Sequence, residues 1–233
     1  MSKSIPEQLR FPPVDGMTVR GNFEGGTLSS DFGPMLLRGI DHQLGLTHCL
    51  AQAFDDQRHP SYTDHPLRDL LAQRIYQIAR GYEDGNDANA LRKDALFKLG
   101  VDRKPLDCDS DLASAPTFSR LENAATTRDV YRMAQAFIDQ FIASYPKPPP
   151  VIVLDMDHSE DATHGQQELA FYNHHYRSHC YLPLFIFEGL SGKFVTAALR
   201  SGKRPTGAEN AMIFERVLTP VGGLARYPYR VAR

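Results

Sequence analysis

Val151-Ile152-Val153-Leu154-Asp155-Met156-Asp157-His158-Ser159-Glu160-Asp161-Ala162-Thr163-His164-Gly165-Gln166-Gln167 sets four apolar residues directly before two carboxylates spaced two apart. Prolines at residues 148–150 bound the run on one side and polar residues bound it on the other, so residues 151–157 read as a buried strand. A strand repeats every two residues, which points Asp155 and Asp157 to the same side where a core strand meets solvent. Two carboxylates there are costly unless a cation joins them, and Mg²⁺ takes one or two carboxylates together with phosphate oxygens. The pattern fits metal-assisted phosphodiester chemistry. An Asp just past a strand also serves as a helix cap or turn residue, and either role fits each Asp taken alone.

Outward from this strand the chain changes character. Residues 1–27 hold Pro12, Pro13, Gly16, Gly21, Gly25 and Gly26 and read as an extended or mobile arm. From residue 29 helical spacing takes over. Ser29, Ser30 and Asp31 offer caps before Met35, Leu36, Leu37, Ile40 and Leu44, with Gly45 as a stop and a second short helix behind it. Asp64 is a candidate cap for a helix carrying Leu67, Leu70, Leu71, Ile75 and Ile78, and Gly81 stands where a C-terminal glycine belongs. Residues 87–99 read as one helix stopped by Gly100, Thr117 or Ser119 opens another, and residues 127–145 form a strongly periodic one. The prolines at 146 and 148–150 then mark the boundary to strands at 151–157, 181–188 and 193–200, followed by a helix over residues 208–218.

Other clusters carry weaker chemistry. Thr163-His164-Gly165-Gln166-Gln167 reads as a polar loop near a metal or phosphate, or as a plain solvated loop. His174, His175, His179 and Cys180 suggest a metal cluster, but their spacing matches no zinc pattern. Arg200, Lys203 and Arg204 surround Gly202 between a strand and a helix, which makes either a phosphate clamp or an ordinary turn.

Composition sets limits. With 233 residues, 42% hydrophobic and 23% charged, the chain has the make-up of a globular protein with one good core or two small ones. A net charge of −2 gives no global basic field, so a DNA partner has to be held by local patches. Three scattered cysteines form no disulfide framework, and no apolar run is long enough to span a membrane, so a cytoplasmic location is expected.

Several ordered segments resemble the DDE transposases of bacterial insertion sequences, in the group with a helical N-terminal region. They are Ser30-Asp31-Phe32-Gly33, Arg74-Ile75-Tyr76-Gln77-Ile78-Ala79-Arg80-Gly81-Tyr82-Glu83-Asp84, and Asp87-Ala88-Asn89-Ala90-Leu91-Arg92-Lys93-Asp94. Residues 113–123, the Leu-Asp-Met-Asp strand with His164-Gly165-Gln166-Gln167, Tyr181-Leu182-Pro183-Leu184 and Leu199-Arg200-Ser201-Gly202 complete the set. The likeness runs over about residues 28–218.

The resemblance implies an RNase H-like catalytic domain in which three acids hold two Mg²⁺ or Mn²⁺ ions for attack on DNA phosphodiesters. It makes Asp157 the first catalytic acid and metal ligand, because Asp157-His158-Ser159 is similar to the family's Asp-x-Ser/Thr pattern, with Asp155 as the alternative. The expected fold class is α+β or α/β, with a helical N-terminal domain before an incomplete RNase H-like sheet. The expected division is a flexible arm at 1–27, a helical DNA-binding or assembly region at 28–147, the start of the catalytic domain at 148–218, and an aberrant tail at 219–233. Because the resemblance assigns chemistry to the sheet, Arg74, Arg80, Arg92, Lys93 and Arg120 in the helical region join Arg200, Lys203 and Arg204 as expected DNA contacts.

The likeness fails after Leu218, before the family's second acid, and residues 224–233 are similar to the expected next segment only when read one base out of frame. A truncated or frameshifted, inactive chain is therefore expected, with an aggregation-prone sheet short of strands and a poorly ordered tail from residue 219. The alternative is a non-enzymatic DNA-binding remnant that interferes with intact transposase. DNA ends and target are the expected partners, with homo-oligomers or mixed assemblies and no membrane.

Overall fold

The computed structural model describes residues 8–22, 31–107 and 109–224. The chain divides into two compact units, Met1–Asp129 and Val130–Arg233, in a mixed α+β architecture.

The first unit opens with β1 (Gln8–Val14) and β2 (Met17–Asn22), an antiparallel hairpin closed by Asp15 and Gly16 at φ +46° and +75°. Positive φ at both central residues is what the type I′ turn requires, and Asp-Gly is among its preferred sequences. Residues 8–22 are thus paired strand, which corrects the reading of residues 1–27 as an arm; residues 1–7 and 23–27 lie outside the described residues. Pro12 and Pro13 sit where the register slips between Phe11 and Val14, a place that tolerates a missing N–H. Their carbonyls accept from the buried Arg38 guanidinium at 2.8 and 3.3 Å, which ties the hairpin to the first helix.

That helix, α1 (Gly33–Leu44), ends at left-handed Gly45 as expected, and Asp31 accepts the Gly33 N–H at 2.8 Å. Then follow α2 (Leu46–Ala53), a 3₁₀ turn (Pro60–Tyr62), α3 (Leu67–Ala79), α4 (Asp87–Leu91), α5 (Ala95–Gly100) and α6 (Ala115–Ala124). α3 starts after Pro66 rather than at an Asp64 cap. Beyond it Tyr82 N–H reaches the Gln77 carbonyl and Gly81 N–H the Ile78 carbonyl, the paired bonds of a Schellman stop at a glycine of φ +84°. The single helix expected over residues 87–99 is two. Asp94 breaks it because its carboxylate caps the Leu96 and Phe97 N–H groups, both at 2.9 Å. Ala72, Tyr76, Phe97, Val101 and Leu112 form one buried cluster, and Leu70, Ala88, Ala113 and Phe118 another.

α7 (Thr127–Ala143) starts with a reciprocal cap, in which Thr126 and Asp129 exchange side-chain and backbone bonds at 2.9 and 3.2 Å. The unit boundary falls near its start and not at the prolines, because its apolar residues Ile138 and Phe141 pack with the sheet that follows. That sheet is β3 (Leu154–His158), β7 (Leu184–Glu188) and β8 (Phe194–Ala198), in the antiparallel order β3-β7-β8. A second sheet, in the order β4-β6-β5, holds β4 (Asp161–Ala162), β5 (Phe171–Asn173) and β6 (Ser178–Tyr181).

The strand expected over residues 181–188 is therefore split between two sheets. Pro183 lacks the N–H that a continuous ladder needs, and the chain changes sheet there. α8 (Gly207–Leu224) outruns its expected end at 218 and continues through Pro220, so residues 219–224 are helical and not a disordered tail; residues 225–233 lie outside the described residues. Val217 and Val221 of α8 join Ile138, Phe141, Leu184, Ile186 and Val195 in one buried cluster. Among the described residues, no helix is long and apolar enough to cross a membrane.

Candidate active site

β3 carries the expected carboxylates, with two corrections. Its ladder begins at Leu154, while Val151 and Val153 are 58% and 40% exposed, so the apolar run is not a buried strand. Val153 is held without a strand partner. Its N–H donates to the Glu188 carboxylate at 3.1 Å and its carbonyl accepts from Gly189 at 2.7 Å. The core strand expected to carry the carboxylates is also the edge strand of its sheet, because β7 takes the middle place and no described strand covers the outer side.

The period of two holds within the strand. Leu154 and Met156 pack against the core cluster, whereas Asp155 and Asp157 alternate with them on the exposed face. The cross-strand neighbours of the two carboxylates are Phe187 and Phe185. Neither carboxylate makes a hydrogen bond or ion pair with another described residue, so the oxygens of both are available to a ligand.

The end of β3 is pinned by Arg200, whose side chain is only 9% exposed. Its Nη1 lies 3.0 Å from His158 Nε2 and 3.3 Å from Asn210 Oδ1, and its Nη2 lies 3.0 Å from Glu209. A guanidinium only donates, so Nε2 must accept and His158 is the neutral tautomer with its proton on Nδ1. Burial, reinforced by the Arg200 charge, holds the His158 pKa below the usual imidazole value. Glu209 itself completes a capping box with Thr206 at the start of α8, accepting the Thr206 N–H at 2.8 Å. One arginine thus joins β3, the segment after β8, and α8.

The remaining acids near in sequence have other tasks. Glu188 is 2% exposed and accepts N–H groups from Val153, Leu190 and Ser191 at 3.1, 3.2 and 2.7 Å. Burial pushes its pKa up, and the hydrogen bonds from Ser191, Val153 and Leu190 outweigh it, leaving the carboxyl below its ordinary value. Glu168 sits exposed in the loop before β5. The His and Cys group forms no metal cluster among the described residues. His179 and Cys180 alternate across β6, with Cys180 fully buried, and no three His, Cys, Asp or Glu side chains assemble as a metal cluster among the described residues.

Four of the cations singled out from sequence are engaged within the fold. Arg74 bonds Glu122 at 3.1 Å, Arg80 bonds Asp31 at 2.8 Å, Arg92 lies 3.3 Å from Asp111, and Arg200 is held as above. Lys93, Arg120 and Arg204 are exposed and make no ion pair among the described residues, and Lys203 stands over the Phe171 ring at 4.3 Å. Gly202 has a steric role. A Cβ there would lie 2.1 Å from the Cys180 carbonyl oxygen and 2.7 Å from that of Phe171.

Sequence reading missed the Arg200–His158–Glu209 junction. Its legible trace was Thr206-x-x-Glu209, a capping-box spacing directly behind the cations.

A family model described as Transposase DDE domain group 1 matches residues 11–223. No curated protein and no solved structure matches the chain.

Proposed function

The chain belongs to the DDE-domain transposases, and on that premise we propose that it works in DNA transposition with Asp157 as its first catalytic acid and Asp155 as the alternative. The observation that carries this reading is the pair of unpartnered carboxylates on the exposed face of β3, at the strand end braced by Arg200. The antiparallel strands β3, β7 and β8, neighbours in one sheet, are read as the opening of an RNase H-like sheet.

A hard divalent ion suits this donor set, since Mg²⁺ and Mn²⁺ take carboxylate oxygens and complete their shells with water and phosphate. Asp155 and Asp157 would hold it, and when bound it supplies Lewis acidity to the phosphodiester and a more acidic attacking water or hydroxyl. Arg200 keeps His158 neutral and fixed beside Asp157, so the strand end does not shift when an anionic backbone approaches. Of the cations singled out from sequence, Lys93, Arg120, Lys203 and Arg204 are free to meet phosphates. Arg74, Arg80, Arg92 and Arg200 would first have to leave their present partners.

Glu188 is committed to three backbone groups and Glu209 to the α8 cap. Glu168 is exposed in a loop and no third carboxylate assembles with the pair among the described residues, so on this reading the chain by itself binds DNA and metal without completing strand cleavage. Further acids come from another copy or from an intact transposase in a mixed assembly, in the cytoplasm. The second reading, a non-enzymatic DNA-binding remnant, is favoured by the exposed Lys93 and Arg120 in the helical unit.

Mn²⁺ titration of the full chain followed by electron paramagnetic resonance separates the readings. Binding that is lost in Asp157→Asn and in Asp155→Asn, with unchanged thermal unfolding, supports a catalytic descent for the site. No Mn²⁺ binding by the wild-type chain leaves only the remnant reading. Metal-dependent cleavage of element-end DNA by the purified chain would overturn the proposal that one chain is incomplete.

A further inference from the structure

The β5–β6 hairpin carries a group of rings that neither the carboxylate strand nor the core uses. Tyr172 pairs across the ladder with His179, which places these two on one face, and His174, just past the end of β5, contacts the same Tyr172 ring. The imidazoles meet the Tyr172 ring edgewise, His174 at 5.1 Å and 85° and His179 at 5.4 Å and 66°. Both contacts hold the phenol in place while 48% of Tyr172 stays exposed. The opposite face is closed, because Cys180 is buried and Gly202 lies against the Phe171 and Cys180 backbone. The rings therefore stand on a fixed support.

The hairpin tip adds a cation. Asn173 Oδ1 accepts the N–H groups of His175 and Tyr176 at 2.9 and 3.3 Å, and the chain returns through Arg177 at φ +58°. Gly or Asn adopts that left-handed geometry at less cost than an arginine does. The exposed Arg177 makes no ion pair among the described residues, so nothing in the fold repays the side chain. Its guanidinium is therefore open to a ligand beside the rings.

We propose that the Tyr172–His174–His179 face, with Arg177 beside it, is a stacking platform for an unpaired nucleobase of a DNA strand near the carboxylates. This rests on the DNA-transposition reading above. An exposed phenol flanked by imidazoles and an arginine matches the chemistry that grips single strands, where bases stack on rings and cations follow the backbone. In a duplex the base faces are already stacked and closed to such rings. Distance permits one strand to reach both places. β4 follows Asp157 by four residues and pairs Asp161 with Tyr181, two residues from His179. Chain geometry limits the separation from Asp157 to about 25 Å, a span that about seven nucleotides cover.

The test uses the full chain and a single-stranded oligonucleotide carrying 2-aminopurine, read by fluorescence quenching, with the same sequence as a duplex for comparison. Wild-type protein quenches the probe in the single strand. Tyr172→Ala weakens single-strand binding by about tenfold, leaves duplex binding unchanged and preserves the circular dichroism spectrum, while Tyr172→Phe retains the quenching. Duplex binding together with single-strand binding that Tyr172→Ala changes by less than about twofold overturns the platform and leaves the DNA reading standing. Binding to neither form overturns both.

Discussion

Gly202→Ala should damage the second unit more than any single loss of charge around it. The added Cβ would sit 2.1 Å from the Cys180 carbonyl oxygen and 2.7 Å from that of Phe171, and both neighbours are ladder backbone. A flexible side chain would swing away from such a contact, but a strand carbonyl cannot move without breaking its own pairing. Overpacking in a core typically costs 1–3 kcal/mol, and a clash with backbone belongs at the upper end, about 3 kcal/mol. In a unit of roughly 100 residues each kcal/mol moves the midpoint by several degrees, so a fall of about 15 °C is expected for its unfolding transition. Differential scanning calorimetry on the full chain, with Arg204→Ala as a control on the same segment, measures it. Arg204 is exposed and its loss should leave the midpoint within about 2 °C, the range of ordinary surface substitutions. Two further signs should accompany the loss in Gly202→Ala. The Asn173 Nδ2 bond to the Gly202 carbonyl, now 3.1 Å, would break, and Arg200 would be drawn from His158. A Gly202→Ala protein that unfolds within 2 °C of wild type (about 0.5 kcal/mol here) would refute the steric account and return this glycine to a role in phosphate contact.

Two other outcomes follow from the first unit. Asp102 receives Arg38 at 2.7 Å and Arg68 at 3.0 Å, so Asp102→Ala leaves Arg38 buried without its counter-ion and should cost about 3 kcal/mol in urea unfolding. Burial raises the Asp102 pKa, but the Arg38 and Arg68 hydrogen bonds outweigh it and leave it depressed; the stabilisation is therefore full above the unfolded Asp value near 4 and disappears as pH falls through the lower folded value, so the wild-type and variant curves should converge in acid. For the exposed cations, Lys93→Ala and Arg120→Ala should each reduce the slope of log K against log salt by about 1 in DNA binding, and unchanged slopes would remove these two residues from the interface.

What was legible in the sequence follows the strength of periodicity. The helices α3 and α7 stood out because their apolar residues recur over three or more turns and their ends carry glycine or proline. Gly45 and Gly81 were readable as stops for the same reason, since few residues accept the left-handed geometry required there. The hairpin of residues 8–22 was hidden by its own composition. Pro12, Pro13 and Gly16 suggest an arm when counted, yet Asp15-Gly16 between two extended runs is a hairpin turn when positions are read. Asp94 and Pro183 misled in the opposite direction, as single residues that interrupt runs whose overall pattern looked continuous.

The candidate site was legible only in part, because alternation fixes which side a residue faces but not what crosses the chain to meet it. Asp155 and Asp157 share a face as expected. Glu188 lies 31 residues beyond Asp157 in sequence, and nothing in its neighbours announces three backbone donors. Arg200 looked like one of three equivalent cations around a glycine. In the fold the three separate by burial, with Arg200 enclosed, Lys203 over a ring and Arg204 in solvent.

Being at the edge need not make the carboxylate strand loose. Five residue pairs join β3 to β7, Leu154 and Met156 are anchored in the core cluster, and His158 closes the far end against Arg200. Three independent restraints therefore act on a strand of five residues, and all of them come from one side or from its ends. The outer row of N–H and C=O groups is left for hydrogen bonds to a further strand, and such a row is the usual template for pairing with another chain. A strand added there would extend the sheet without moving Leu154 or Met156, and residues it projects to the same face would stand beside Asp155 and Asp157. Cross-strand neighbours lie about 5 Å apart, close enough for an incoming carboxylate to share an ion with either Asp. The free edge beside Asp155 and Asp157 is thus where a further strand could bring another acid to the pair.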